Sequence, residues 1–250
     1  WILDVGQGLA VGLQTSRGVV LYDTGMRWRS GGSAAEQAIL PFLANRGVRR
    51  VSHLVVSHAD LDHSGGTEAL VSAIEVERIL AGEPLPGIEA RPCLRGQRWW
   101  QGGIEFEILH PPSLATYEGN NASCVLRVAA GPHALLLTGD VEQVAERQLL
   151  RANGRLSADV VVVPHHGSRT SSSAAFVEAV APTVAVASAG YANRWGFPVP
   201  VVIDRWESVG ARMLNTASEG AVFMRICADR GVVELSGERQ TRRRFWHAES

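Results

Sequence analysis

His58-Ala59-Asp60-Leu61-Asp62-His63-Ser64-Gly65-Gly66 puts four potential metal ligands within six residues, directly after the apolar run His53-Leu54-Val55-Val56-Ser57. The run reads as a short buried strand and the paired glycines as the turn into a helix, so the ligands fall on a strand-to-helix loop. Side chains at i, i+2, i+4 and i+5 of such a loop can converge on two adjacent cations. Carboxylates crowded at a strand end repel one another unless a cation is present, so this density points to a metal site. Two later stretches end the same way. Ala134-Leu135-Leu136-Leu137-Thr138-Gly139-Asp140 is a buried strand closing on an aspartate, and Asp159-Val160-Val161-Val162-Val163-Pro164-His165-His166-Gly167-Ser168 is another closing on a histidine pair. Asp140 by itself would read as a turn or N-cap residue before the helix of Val141 to Arg151. Three strands ending in ligand-type residues, in this order, read as one metal centre.

The composition narrows the chemistry. With 250 residues, 46% of them hydrophobic, the chain is long enough to bury a sizeable core. All 24 basic residues are arginine, so lysine Schiff-base chemistry and a P-loop are excluded. The net charge of −1 provides no global polycation, and any nucleic-acid contact must come from local patches. Apolar stretches are strand-sized, none near the ~18 residues of a membrane span. The chain opens on Trp1-Ile2-Leu3-Asp4, already strand-like, and reads as a piece of a longer protein. Cys93, Cys124 and Cys227, widely spaced and odd in number, predict neither a disulfide framework nor a thiolate metal site, and Cys124 reads as a small buried hydrophobe.

Strands are expected near 1–5, 9–15, 18–23, 51–57, 77–81, 104–109, 123–130, 133–138, 159–163, 183–187, 211–215, 221–226 and 231–235. Helices are expected near 34–47, 67–74, 141–152, 172–180 and 200–209, with a Pro-rich loop at 82–93. This interleaving predicts an α/β domain over residues 1–237. Residues 238–250, with Arg242-Arg243-Arg244, read as a polar Arg-rich tail. Core packing is expected for Trp99 and Trp100. Arg194-Trp195 lies in a Gly/Pro-bounded loop bordering the site, where a guanidinium neutralises phosphate while an indole stacks on a base.

The first motif resembles the HxHxDH signature of the metallo-β-lactamase superfamily, with Asp60 in place of the second histidine. Leu3-Asp4-Val5-Gly6-Gln7-Gly8, Leu21-Tyr22-Asp23-Thr24-Gly25, Asn120-Asn121-Ala122-Ser123-Cys124, Leu136-Leu137-Thr138-Gly139-Asp140 and His165-His166-Gly167-Ser168, in this order, resemble the carboxy-terminal hydrolase domain of the ComEC family of DNA internalisation competence proteins. The resemblance implies a four-layer αββα sandwich with the metal site at one edge of its sheets. It implies one cation on His58 and Asp60, a second on Asp62 and His63, Asp140 between them, and His166 or His165 completing the second. Asp62, Asp140 and His165 are the implied catalytic residues. Phe197 stands where members of the family commonly carry a histidine in Gly-His-Pro. A further histidine is usual before the strand at 123–130, where this chain has Asn120-Asn121-Ala122-Ser123, and only His110 and His133 lie nearby.

Three carboxylates, two or three imidazoles and no thiolate make a hard ligand set for which Mn²⁺ competes with Zn²⁺. Two such cations suit hydrolysis of a phosphodiester, because they lower the pKa of bound water towards ~7 and stabilise developing negative charge. Asn121, Ser123 and Ser168 are candidate hydrogen-bond donors to phosphate, alongside Arg194 and Trp195. Asp4 and Asp23, at strand ends, are candidates for holding a ligand histidine. The resemblance implies a nuclease that degrades the strand not imported during transformation, attached to a membrane channel domain of the same polypeptide and facing outward from the bacterial inner membrane. Two alternatives are a phosphodiesterase for a small substrate, such as a choline-phosphate ester, and a non-catalytic scaffold of the channel.

Overall fold

The computed structural model describes residues 1–113, 117–152 and 155–241. Its inner strands are apolar on both faces, and such strands must be covered on both sides. The first sheet contains β1 (Val11–Thr15), β2 (Gly18–Tyr22), β3 (His53–Val56), β4 (Ile79–Ala81) and β5 (Arg91–Pro92), side by side in that order. β1 and β2 form an antiparallel hairpin, and the remaining pairs are parallel. The second sheet contains β6 (Arg98–Gln101), β7 (Ile104–His110), β8 (Val125–Ala130), β9 (His133–Leu137), β10 (Val160–Val162), β11 (Val184–Ala187) and β12 (Arg212–Asn215), again neighbours in chain order.

Alternation along the strands sorts side chains into three apolar layers. Val160 and Val162 join Tyr22, Val55, Phe106 and Leu126 between the sheets. On the far face of the first sheet, Leu54 and Val56 meet Ile39, Leu43 and Leu70, contributed by a helical turn at Ala35–Ile39 and by α1 (Leu40–Asn45) and α3 (Thr67–Ala73), the latter preceded by α2 (Leu61–Ser64). On the far face of the second sheet, Leu136 and Val161 meet Leu149, Phe176, Val177 and Trp206 of α4 (Gln143–Arg151), α5 (Ala174–Val180) and α6 (Pro200–Ser208). These three helices make the crossovers that keep β9 to β12 parallel. The result is the α/β four-layer αββα sandwich expected from the motifs. After β12 come α7 (Thr216–Glu219) and a hairpin of β13 (Val222–Cys227) and β14 (Gly231–Gly237), linked to the first sheet through Ile2, which bridges both Val11 and Val222.

Several expectations change. The strand expected near 1–5 is reduced to the Ile2 bridges. The Pro-rich loop contributes β5, which pairs with β4. Arg98–Gln101 is a strand, so Trp99 and Trp100 point to opposite faces. Trp99 stacks on Phe106 at 5.0 Å and on His53 at 4.7 Å, whereas Trp100 is 66% exposed because β6 is an edge strand with its outer face uncovered. Glu238–Thr241, the start of the segment read as a tail, form the helical turn α8, and Arg242, Arg243 and Arg244 lie outside the described residues.

The cysteine reading is corrected on the disulfide, although Cys124 is buried as expected. Cys93 and Cys124 are fully buried and joined by a disulfide, leaving Cys227 free. Cys93 follows β5 of the first sheet and Cys124 precedes β8 of the second, so the bond staples the two sheets together. An odd count misleads because parity describes a framework in which every cysteine pairs, and one inter-sheet staple needs only two. Replacing both partners by alanine is expected to lower unfolding stability by about 2–4 kcal/mol, the usual range for a native disulfide. Urea unfolding of the double variant beside the oxidised parent checks this, and equal midpoints would show that the staple adds nothing.

Candidate metal centre

The ligand residues come from the carboxyl ends of β3, β9 and β10, where the parallel strands deliver their loops to one edge of the two sheets. His58 to His63 run from the end of β3 into α2, Asp140 follows β9, and the histidine pair follows β10. Two overlapping groups result. His58, His63 and Asp140 form one and Asp62, His63 and His166 the other, with the ligand atoms of each group lying within 4.8 Å of one another. His63 Nε2 stands 3.1 Å from Asp140 Oδ1 and 3.2 Å from His166 Nε2. His166 Nε2 stands 3.3 Å from Asp62 Oδ2 and 3.5 Å from Asp140 Oδ2. This geometry singles out His166 as the ring that reaches the cluster.

Every ligand imidazole is held by its other nitrogen. His58 Nδ1 meets the Ser57 hydroxyl at 2.9 Å, His63 Nδ1 meets Asp23 Oδ2 at 2.7 Å, and His166 Nδ1 donates to the Ser188 carbonyl at 2.7 Å. An imidazole fixed through Nδ1 presents Nε2 as the free donor atom, which is how metal-binding histidines are oriented. Asp23 also accepts the Ser57 amide and hydroxyl at 2.6 and 2.8 Å. The fit to cations rests on two buried atoms. His58 Nε2 and Asp140 Oδ1 have no hydrogen-bond partner among the described residues, an arrangement that is costly in a core and ordinary for metal ligands.

The electrostatics agree. Burial disfavours a charged His63, but the nearby Asp140 and Asp23 carboxylates outweigh it and hold this imidazole well above its ordinary pKa. Burial likewise opposes charge on His166, and Asp140 and Asp62 again prevail. Burial would raise Asp62, yet the hydrogen bond from His166 and the charge of His63 bring it down to about 2. Asp140 is held well below the carboxylate range, against its burial, by His166 and His63. A cation held by these groups would compete with protons for the same imidazoles.

Backbone shape is specialised at the two later motifs. His165 and His166 are both left-handed, with φ of 51° and 54°, a conformation that side chains bearing a Cβ seldom adopt. Two consecutive left-handed residues splay the rings, so His166 enters the cluster while His165 stays at its rim, 3.8 Å from Asp140 Oδ2 and 3.5 Å from Glu142 Oε1. Gly139 has φ of 54°, and a Cβ there would lie 2.7 Å from Ser123 Oγ and 2.8 Å from Ser57 Cβ.

The remaining candidates divide. Asp60 is more than half exposed at the rim, with Oδ2 3.5 Å from His58 Nε2, and the His58 contact lowers its pKa. Asp23 meets Nδ1 of His63, one of the candidate ligands. Asp4 does not: its carboxylate takes Arg239 at 2.7 Å and the Gly6 amide, so it anchors the α8 turn to the amino-terminal segment. Ser123 accepts the Asp140 amide at 3.0 Å and lies 3.3 Å from His58 Nδ1, which makes it a support for ligands. Asn121 is occupied in capping α4, its Oδ1 accepting the amides of Glu142 and Ala145. Ser168 closes its own loop with Thr170. His110 is buried against the Asn121 carbonyl, with burial lowering its pKa to about 4, and His133 pairs with Asp159, so neither replaces the absent histidine. Trp195 connects to the rim through Phe197, whose ring meets His165, and Arg194 lies over the Trp195 ring.

Sequence reading missed Ser57, Ser188, Glu83 and Glu146. Glu83 accepts the amides of Ala59 and Gly119, joining the first motif to the 119–122 turn. The buried Glu146 accepts the amides of Ser172 and Ser173 and steadies the loop after the histidine pair. A Ser directly before the first ligand, and a Glu on the inner face of α4, are the signals that could have found two of them.

Residues 3–191 match the family model of the metallo-beta-lactamase superfamily. The chain is 43% identical over 222 residues to Competence protein ComA of Neisseria gonorrhoeae, covering 88% of this chain and 31% of that protein. It is 39% identical over 250 residues to Recombination protein 2 of Haemophilus influenzae, covering 98% of this chain and 31% of that one, and 30% identical over 251 residues to ComE operon protein 3 of Bacillus subtilis, covering 90% and 32%. The chain thus spans about a third of the length of these curated relatives. Among solved structures, the metallo-beta-lactamase fold protein YhfI of Bacillus subtilis aligns with a TM-score of 0.53 at 12% identity, covering 86% of this chain and 95% of that one, a likeness of fold.

Ser57→Ala removes the hydroxyl that joins Asp23 to His58. The variant is expected to fold normally by circular dichroism and to lose about 10- to 100-fold in Mn²⁺ affinity, measured calorimetrically on metal-stripped protein. Parental affinity would show that this hydroxyl does not orient the ligands.

Proposed function

The chain belongs to the metallo-beta-lactamase superfamily, and from that premise we propose that it is a two-metal phosphodiesterase acting on DNA. The observation that carries this reading is the convergence of the His63 and His166 Nε2 atoms on Asp140, with His58 in the same group and Asp62 beside them, at one edge of the two sheets. His58, His63 and Asp140 would hold one divalent cation, with Asp60 at its exposed side, and Asp62, His63 and His166 the other. The donors are carboxylate and imidazole, a hard set suited to Mn²⁺ or Zn²⁺. Bound there, the cations supply Lewis acidity and a lowered pKa for water. Asp140, which approaches both His63 and His166, would present carboxylate charge to both groups. His165 lies at the rim with Nδ1 3.2 Å from Thr170 Oγ1, leaving Nε2 facing the cluster as the atom placed to exchange a proton with a departing oxygen.

The relatives support DNA as the substrate. One is named for competence and one for recombination, and a role in DNA uptake, with degradation of the strand not imported, would fit both names. Among the described residues no helix is long and apolar enough to cross a membrane, so the membrane channel would belong to the other two thirds of a protein of the relatives' length. The Cys93–Cys124 disulfide favours an outward-facing position, because such bonds persist in oxidising compartments.

The test is cleavage of labelled single- and double-stranded DNA by protein stripped of metal and resupplied with Mn²⁺ or Zn²⁺, with Asp62→Ala as control. Metal should restore cleavage, and the variant should lose more than the ~10–100-fold that an outer-shell partner costs. Unchanged cleavage by Asp62→Ala would remove the proposed centre. Metal uptake without cleavage of either DNA form would move the substrate to a small phosphodiester or leave a scaffold.

A further inference from the structure

A row of rings runs outward from the metal centre. His165, at the rim, meets Phe197 edge-on at 5.9 Å; Phe197 lies nearly parallel to Trp195, at 6.2 Å and 15°; and the Arg194 guanidinium sits over the Trp195 ring at 4.3 Å. Trp195 is 46% exposed, and Tyr191 in the same loop is 77% exposed. Isolated exposed aromatics are unremarkable, but these form a continuous shelf beginning at a residue 3.8 Å from Asp140.

The shelf is built to stay in place. Asn193 clamps its loop from within, donating Nδ2 to the Gly190 and Phe197 carbonyls and accepting the Phe197 amide. The Val199 amide donates to the Gly167 carbonyl, and Pro198 packs so closely on Gly167 that a Cβ there would lie 2.4 Å from the proline Cβ. The loop is therefore docked on the same turn that carries His165 and His166. Rings held in advance lose little freedom when something stacks on them.

We propose that residues 191–197 are a nucleobase-stacking shelf, on which Trp195 and Phe197 take an unpaired base next to the phosphodiester held at the metal centre, and that the domain therefore engages single-stranded DNA in preference to duplex. The proposal rests on the phosphodiesterase reading for the position of that phosphodiester. An indole face suits any base, whereas bases within a duplex have both faces covered by their neighbours. Arg194, whose guanidinium covers one face of the indole, supplies positive charge beside a base taken on the ring's other face, and the exposed Arg169 adds another on the turn that carries the histidine pair. Phe197, which stands where the family commonly carries a histidine, becomes the link between the centre and the shelf.

Metal-stripped protein, which cannot cleave, is titrated by fluorescence anisotropy with labelled single-stranded DNA, with the same strand carrying abasic positions, and with the corresponding duplex. Trp195→Ala should weaken single-strand binding about 10-fold and leave abasic-strand and duplex binding within about twofold of the parent, while Trp195→Phe should retain most of the affinity. Parental single-strand affinity in Trp195→Ala, or equal losses on all three DNAs, would overturn the proposal. Trp195-dependent binding by a parent that hydrolyses neither DNA nor bis(p-nitrophenyl) phosphate would instead overturn the phosphodiesterase reading and leave the shelf standing as a binding site.

Discussion

Asp23 is a fully buried carboxylate that ends β2, and the Ser57 amide, the Ser57 hydroxyl and His63 Nδ1 all converge on it. A carboxylate removed from water is tolerable only when its oxygens are satisfied and a positive group stands nearby. Meeting that condition joins the end of β2 to the end of β3 and fixes the direction in which the first ligand loop leaves the sheet. The residue before it extends the tie: Tyr22 donates its hydroxyl to the Cys124 carbonyl at 2.7 Å, across the gap between the sheets. Cys124 in turn donates its amide to the Ser57 carbonyl and carries the disulfide to Cys93. Both sheets are therefore welded together directly beneath the metal centre.

That weld explains why unfavourable local conformations persist there. Left-handed backbone at Asp23, His165 and His166 is disfavoured in isolation, as is a cluster of buried charged groups. Each is over-determined by its surroundings. Ser57 and Ser123 fill the space beside Gly139, Ser188 holds His166, and Glu146 holds the amides that follow the histidine loop. The same packing places His165 apart from His166, so that adjacent histidines serve different ends: one faces the cluster and the other begins the aromatic row.

The arginine-only basic composition gains meaning from this arrangement. The total charge is close to neutral, and several arginines are engaged in ion pairs far from the centre, as with Arg155 bridging Glu105 and Glu107. Arg194, by contrast, lies over the Trp195 ring. Local placement, not net charge, would bring a polyanion to the site, in keeping with the short range of electrostatics at physiological salt.

Most of the strands and the candidate ligand residues were legible because each depends on a short stretch of chain. An apolar run of four or five residues makes a two-faced strand wherever it sits, and a ligand at its carboxyl end reaches the sheet edge through parallel pairing alone. His58, Asp62, His63, Asp140 and the histidine pair were visible for that reason, as was Asp23 in its turn. What required the tertiary structure was every role set by the meeting of distant segments. Cys93 finds Cys124, Asp4 is taken by Arg239 from 235 residues away, and Asn121 is spent on capping α4. The spacing of Val162-Val163-Pro164 before His166-Gly167 favours His166, but the separation of its ring from that of His165 depended on two left-handed backbone dihedrals. Sequence alone determined which atoms could bind a metal, since that is a property of side chains and strand ends; the fold decided which nitrogen of each ring is free to do so, because a hydrogen bond to the other nitrogen comes from a different part of the chain.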